Sequence, residues 1–186
     1  RYGLVGSEMC IRDRSYSVVT SVDRDDLVDG GAGAFAMTIK QIKKFNPDCK
    51  VEVLIPDFNG NRSSLETVIK ALPDVLNHNI ETCRRVFRVV RPKGDYDQSL
   101  ELLRRVKELN PNIPTKSGMM VGLGETEDEI IETMNDLRKV NCDLLTIGQY
   151  LRPSKKHHEI DKFYHPKEFT KFEHIGMELG LSLIHI

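Results

Sequence analysis

Three short stretches carry the residues that could do chemistry. In "NHNIET", Asn77, Asn79 and Glu81 alternate, so on a β-strand they share one face while His78 and Ile80 share the other. Two amides and a carboxylate aimed into an interior need a polar ligand or water, because burying each without a partner costs a few kcal/mol. The plain alternative is that the strand has already ended and these are solvated loop and cap residues. "TSVDRDD" sets Thr20, Ser21, Asp23, Asp25 and Asp26 at a second strand end. Acids there suit either a magnesium ion or the capping of a helix N-terminus. In "SGMMVGLGET", Gly118, Met120 and Gly122 alternate and Glu125 follows at a turn. One face of that strand is bare backbone around a single soft side chain, which lets a flat ring approach closely or relieves packing at a crowded barrel centre. It offers phosphate no lysine: the GK[ST] ending of a Walker loop is absent and the GxGxxG spacing is not met.

Other residues invite chemistry less. Cys10, Cys49, Cys83 and Cys142 are scattered, without a CxxC pair or a histidine at zinc-finger spacing, so no metal site is expected within the chain. His157 and His158 sit beside lysines in "SKKHHE", with His165 and His174 further on, and read as solvated rather than metal-binding. Lys116 could form a Schiff base as in an aldolase-type lyase, but it begins its strand, away from the end where barrel sites lie. "NRS" at Asn61 matches a glycosylation acceptor with nothing else pointing to secretion, and "RPKGDY" fits a turn between helices.

The elements that must position these residues follow from hydrophobic periodicity. The 186 residues are 39% hydrophobic, enough for one domain with a core. Lys and Arg number 27 against 28 Asp and Glu, so no net field favours nucleic acid or an anionic membrane. No apolar run approaches the roughly 20 residues needed to span a bilayer. A cytoplasmic protein is expected. Apolar, β-branched runs at "YSVVTSV", "KVEVLIPDF", "DVLNHNI", "SGMMVGL" and "CDLLTIGQYL" read as strands. Between them lie helical stripes: Phe35, Ile39 and Ile42; Leu65, Val68, Ile69 and Leu72; Leu102, Leu103, Val106 and Leu109; Ile130, Met134 and Leu137; and a last one carrying Phe169, Phe172 and Leu179. Ser63 with Glu66, and Thr126 with Glu129, have the spacing of capping boxes, and Pro166 suits a first helical turn. Strand and helix in alternation predict an α/β fold with a parallel sheet, closed, partly closed or doubly wound, with its site at the C-terminal strand ends. "RYGLVGSEMCIRDR" (1–14) and "LSLIHI" (181–186) fit no periodic element and resemble translated adapter sequence; the domain is expected over 15–180, in a gene cut at both sides.

Taken in order, "TSVDRDDLVDGGAGAFAMTI", "VEVLIPDF", "DVLNHNIET", "RPKGDYDQSLELL", "PTKSGMMVGLGET" and "DLLTIGQYLRPSKKH" resemble the lipoyl synthase family of radical S-adenosylmethionine enzymes. The resemblance covers nearly all of 15–180 and implies a partial parallel (β/α) barrel, here about five βα units with the first missing. It implies that the family's adenine-packing pattern G-x-I-x-G-x-x-E falls on Gly118, Met120, Gly122 and Glu125, with Met for Ile. Asn79 and Glu81 would then meet the ribose, and Thr20 and Ser21 the methionine amino group; by the same analogy Arg91 or Asp95 could contribute to the site, and neither is assigned. The implied cofactors are S-adenosylmethionine and two [4Fe-4S] clusters, whose ligands this chain lacks. The implied reaction inserts two sulfur atoms into an octanoyl chain held on a carrier protein, a 2-oxoacid dehydrogenase E2 subunit or the glycine cleavage H protein, with flavodoxin or ferredoxin as electron donor. The chain alone is expected to be inactive. The residues themselves leave open a non-catalytic nucleoside-binding barrel and the Lys116 lyase.

Overall fold

A computed structural model of the protein describes residues 15–185. All five expected strands are present: β1 (Tyr16–Thr20), β2 (Lys50–Leu54), β3 (Val75–Asn77), β4 (Thr115–Val121) and β5 (Leu144–Gln149). The helices between and after them are α1 (Ala32–Phe45), α2 (Arg62–Lys70), α3 (Arg84–Val90), α4 (Tyr96–Leu109), α5 (Glu127–Lys139) and α6 (Pro166–Glu178). The segment 1–14, with Cys10, lies outside the described residues.

The sheet order is β1-β2-β3-β4-β5-β6, and every neighbouring pair is parallel. Consecutive strands that always add to the same edge require each crossover to return over the same face, so the helices collect on one side. That is the winding of a (β/α) barrel; a doubly wound sheet would reverse its order and carry helices on both faces. β6 (Ser182–His185) is a difference from the sequence reading, which left this terminal segment outside any element. It pairs with Leu144–Ile147 of β5. Gly180, at φ 85, turns the chain after α6, and a strand ladder uses backbone groups that need no side-chain pattern.

Alternation along the strands separates two environments. On β4, Thr115, Ser117, Met119 and Val121 are buried, and Met119 and Val121 belong to one core with Phe35 and Ile39 of α1, Leu103 and Val106 of α4, and Ile130 and Met134 of α5. Lys116, Gly118 and Met120 face the other way, into the concave interior. In the same interior layer Glu52 accepts hydrogen bonds from Tyr16 Oη (2.5 Å), Lys116 Nζ (3.0 Å) and Asn77 Nδ2 (3.1 Å), so one carboxylate joins four strands. Burial works against its charge, but the three donors outweigh burial and hold Glu52 below the ordinary carboxylate range. Burial and the same contact push the Tyr16 phenol above its usual range.

Local signals hold with two corrections. Thr126 and Glu129 form a reciprocal capping box, and Pro166 opens α6 behind His165. At α2 the cap is Asn61 rather than Ser63: its side chain accepts from the Ser63 and Ser64 amides at 3.0 and 3.4 Å. Asparagine caps as well as serine does, and it stands two residues earlier. The long helical region after β3 is two helices, with "RPKG" as a turn in which Gly94 N donates to Arg91 O. Among the described residues no helix is long and apolar enough to cross a membrane.

Candidate functional site

The strand that was to carry Asn77, Asn79 and Glu81 stops being regular at Asn77. Asn77 pairs with Lys116, whereas Glu81 pairs with Met119, so one extra residue is inserted on the β3 side. Within the bulge Ile80 N donates to Ser117 Oγ, and Glu81 adopts a left-handed φ of 67. A non-glycine residue there costs about 1–2 kcal/mol. Two backbone bonds to β4 hold it in place, Glu81 N to Gly118 O (2.9 Å) and Met120 N to Glu81 O (2.7 Å). The three residues therefore do not form one continuous face. Asn77 belongs to the Glu52 layer, and Asn79 and Glu81 belong to the layer above it.

Asn79 and Glu81, with Thr20 and Ser21, border a single hollow of about 130 Å³ at the C-terminal ends of β1, β2 and β3. Arg91, from the turn after α3, closes one side and donates to Glu81 Oε1 at 2.8 Å. Glu81 Oε2 stays available. No hydrogen bond from the Thr20 hydroxyl or the Asn79 amide to a described residue competes for these groups, and Ser21 donates to Val22 O, leaving its lone pairs free to accept. Behind the hollow, His78 is buried between Ile55 O (2.9 Å) and Ser99 Oγ (3.1 Å). Burial pushes its pKa below the ordinary histidine range, so it serves as a neutral spacer.

The glycine strand sits beside this hollow. A Cβ on Gly118 would lie 2.6 Å from Asn79 Oδ1, so the missing side chain is what lets the Asn79 amide lie against β4. Met120 is half-buried and packs against the small buried cluster formed by Cys83, Val86, Leu123 and Tyr150. Gly122, at φ 103, is crowded by Gln149 Nε2 and by the Lys162 carbonyl. Glu125 is buried with both oxygens engaged by backbone: Gly122 N at 2.6 Å and Leu123 N at 2.9 Å. Burial, reinforced by Glu125, raises the Tyr164 phenol above its usual range. Glu125 thus holds the β4 turn, while Thr20, Ser21, Asn79 and Glu81 offer the groups with capacity to spare.

Gln149 carries no signal in the sequence, whereas Arg91 and Lys116 are residues the sequence raises without assigning. Arg91, which the family analogy admits to the site, reaches the hollow from the turn that follows α3. Gln149, at the end of β5, donates to Lys162 O (3.0 Å) and accepts from Tyr164 N (2.9 Å), fixing the following loop. Lys116 donates to Glu52 from below the hollow rather than into it. Of the acids near β1, Asp26 pairs with Arg24, Asp25 accepts from Asn59, and Asp23 borders the hollow. Among the described residues no group of three or more His, Cys, Asp or Glu side chains could hold a metal ion. Cys49, Cys83 and Cys142 are buried and free, and burial pushes Cys142 up to about 11. They do not fit an iron–sulfur cluster.

A family model described as the radical SAM superfamily matches residues 8–137. The chain is similar to a protein named lipoyl synthase from Caldanaerobacter subterraneus subsp. tengcongensis, 60% identical over 165 residues, covering 89% of this chain and 58% of the relative. It is also similar to a lipoyl synthase from Halalkalibacterium halodurans, 52% identical over 178 residues, covering 96% of this chain and 59% of the relative. The chain thus spans somewhat under three fifths of the length of these curated relatives. A crystal structure of methylornithine synthase superposes with a TM-score of 0.69 at 12% identity, covering 96% of this chain and 60% of the other, a likeness of fold alone.

Proposed function

This chain belongs to the radical SAM superfamily, and from that premise we propose that it is the barrel portion of a cytoplasmic lipoyl synthase. The whole protein would insert two sulfur atoms into an octanoyl chain carried on a protein lysine. The observation that carries the reading is the convergence of uncommitted polar groups, Thr20, Asn79 and Glu81 Oε2, around one hollow, with the Asn79 amide admitted against β4 by Gly118.

These residues suit S-adenosylmethionine. Glu81, with one oxygen held by Arg91, keeps the other to accept from ribose hydroxyls. Asn79 can both donate and accept at the same edge. Thr20 and Ser21 present hydroxyl lone pairs to an ammonium group. With the Gly118 face covered by the Asn79 amide, half-buried Met120 offers the soft polarizable surface to an adenine plane. When bound, S-adenosylmethionine supplies the hydrogen-abstracting power for attack on an unactivated alkyl chain; this chain's residues bind, orient and shield it. The buried thiols of Cys49, Cys83 and Cys142 do not fit the clusters of such an enzyme, so no step is derived through them. Octanoylated lipoyl-carrier proteins and a flavodoxin or ferredoxin would be the partners of the whole protein.

The test is titration of the full-length protein with S-adenosylmethionine, alongside mass spectrometry of an octanoylated carrier for exchange of two C–H bonds for sulfur. Glu81→Gln and Asn79→Ala are expected to weaken the cofactor at least tenfold. Unchanged affinity in both variants would remove the hollow as the site. Cofactor binding by an iron-free native protein that inserts no sulfur would favour the nucleoside-binding barrel, and a borohydride-trapped adduct on Lys116 would favour the lyase.

A further inference from the structure

The rim of the barrel carries opposite charge on its two sides. The loop after β5, residues 151–165, holds Arg152, Lys155, Lys156 and Lys162 against Glu159 and Asp161, in a chain whose net charge is −1. Across the barrel, the loop after β1 holds Asp23, Asp25, Asp26 and Asp29 against Arg24 alone. The basic loop is not a loose tail. Asp161 N donates to Gly122 O at 2.9 Å, His158 Nε2 contacts Leu123 O at 3.0 Å, and Arg152 gathers the carbonyls of Lys155 (2.7 Å) and His157 (2.9 Å). With the Gln149 bonds, these contacts fasten the loop to the C-terminal ends of β4 and β5, beside the site.

What the fastened loop presents outward is both cationic and apolar. Lys155 and Lys156 are exposed, and neither pairs with a carboxylate among the described residues, whereas Arg152 pairs with Glu159 and Lys162 with Glu168 of α6. Leu151 and Phe163 each remain 67% exposed although the loop around them is ordered by hydrogen bonds. A fixed surface that leaves two large apolar side chains in water among unpaired ammonium groups has the make-up of a contact patch. We infer that the 151–165 loop docks the acidic face of a carrier protein domain, the surface around its modified lysine, and that the acidic loop at 23–29 repels that face and so sets its orientation.

The inference rests on the proposed function, which requires an alkyl chain on a protein lysine to reach this rim. Complementary rim charge speeds encounter and suppresses wrong orientations more than it adds contact energy, so its mark is a salt-sensitive affinity. The experiment compares full-length protein with its Lys155→Glu/Lys156→Glu variant, by titration with an octanoylated acidic carrier domain at low and high salt. Turnover is measured in parallel with a short uncharged peptide bearing octanoyl-lysine. The expected result is at least tenfold weaker carrier binding by the variant at low salt, a flattened salt dependence, and unchanged turnover of the peptide. Phe163→Ser, which leaves the charges in place, is expected to weaken the carrier at both salt concentrations. Unchanged carrier affinity in both variants overturns the inference. So does a charge reversal that abolishes binding to phosphatidylserine vesicles or to an oligonucleotide while sparing the carrier. Carrier binding that depends on the lysines in a protein that inserts no sulfur would uphold the docking surface and sink the proposed reaction.

Discussion

Replacing Glu52 by glutamine tests whether the interior polar layer holds the barrel together. Glu52 is 2% exposed and takes three donors from β1, β3 and β4. The amide keeps the shape but removes the charge that balances Lys116, and breaking a buried pair on one side costs about 3–5 kcal/mol. Two features of this site lower that figure. The Lys116 side chain keeps 20% exposure, so water recovers part of its charge, and Asn77 Oδ1, buried without a partner, can take a hydrogen bond from the new amide. A loss of about 2 kcal/mol remains at pH 7. The sign with pH follows from the lowered pKa. The stabilising term is fully present above the unfolded carboxyl value and disappears as pH falls through the lower folded one. Urea unfolding of full-length protein, followed by circular dichroism from pH 7 down into the acid range, should show the wild type converging on the variant as the carboxyl titrates. Glu52→Gln within about 0.5 kcal/mol of wild type at pH 7 would refute the argument. A constant gap down to the lowest pH at which both fold would refute it equally.

Gly118→Ala places a Cβ 2.6 Å from Asn79 Oδ1 and must push that amide out of the hollow, so S-adenosylmethionine titrated into the full-length variant should bind at least tenfold more weakly. Gly122→Ala meets both a φ of 103 and the Lys162 carbonyl, and should lower the unfolding free energy by more than about 2 kcal/mol in denaturant titration. Thr126→Ala removes the α5 capping box and should cost about 1 kcal/mol in the same assay, with cofactor affinity unchanged. Cys142, buried and with its thiol pushed up to about 11, should stay unmodified by iodoacetamide at pH 8 in native protein and react once the chain is unfolded in urea.

Much of this architecture can be read from one-dimensional pattern. The short apolar runs in "KVEVLIPDF" and "SGMMVGL" identify strands because a buried strand of a parallel sheet is apolar on both faces, and the stripe Ile130, Met134, Leu137 identifies α5 because those positions share one helical face. Local chemistry is equally legible: Thr126 and Glu129 cap a helix through bonds closed within four residues. The candidate site was half legible. Thr20, Ser21, Asn79 and Glu81 stand at strand ends, where a parallel α/β fold puts its chemistry, and they do meet around one hollow. What pattern could not supply was the bulge between Asn77 and Glu81, since a one-residue slip depends on the partner strand and changes nothing in the alternating sequence.

The amino-acid sequence by itself determined the alternation of strand and helix, the helix caps and the kinship to the radical SAM superfamily, because these depend on neighbours within a few residues or on the identity of the string. Only the tertiary structure decided which groups stay free. Glu125 reads as a site carboxylate, yet both its oxygens turn inward to the Gly122 and Leu123 amides; Arg91, 10 residues from Glu81 in sequence, comes to hold one of that carboxylate's oxygens. Lys116, a lone amine within an apolar strand, is spoken for by Glu52, 64 positions away. A polar side chain's availability is set by which partners surround it, and those partners arrive from other strands only when the sheet closes around them.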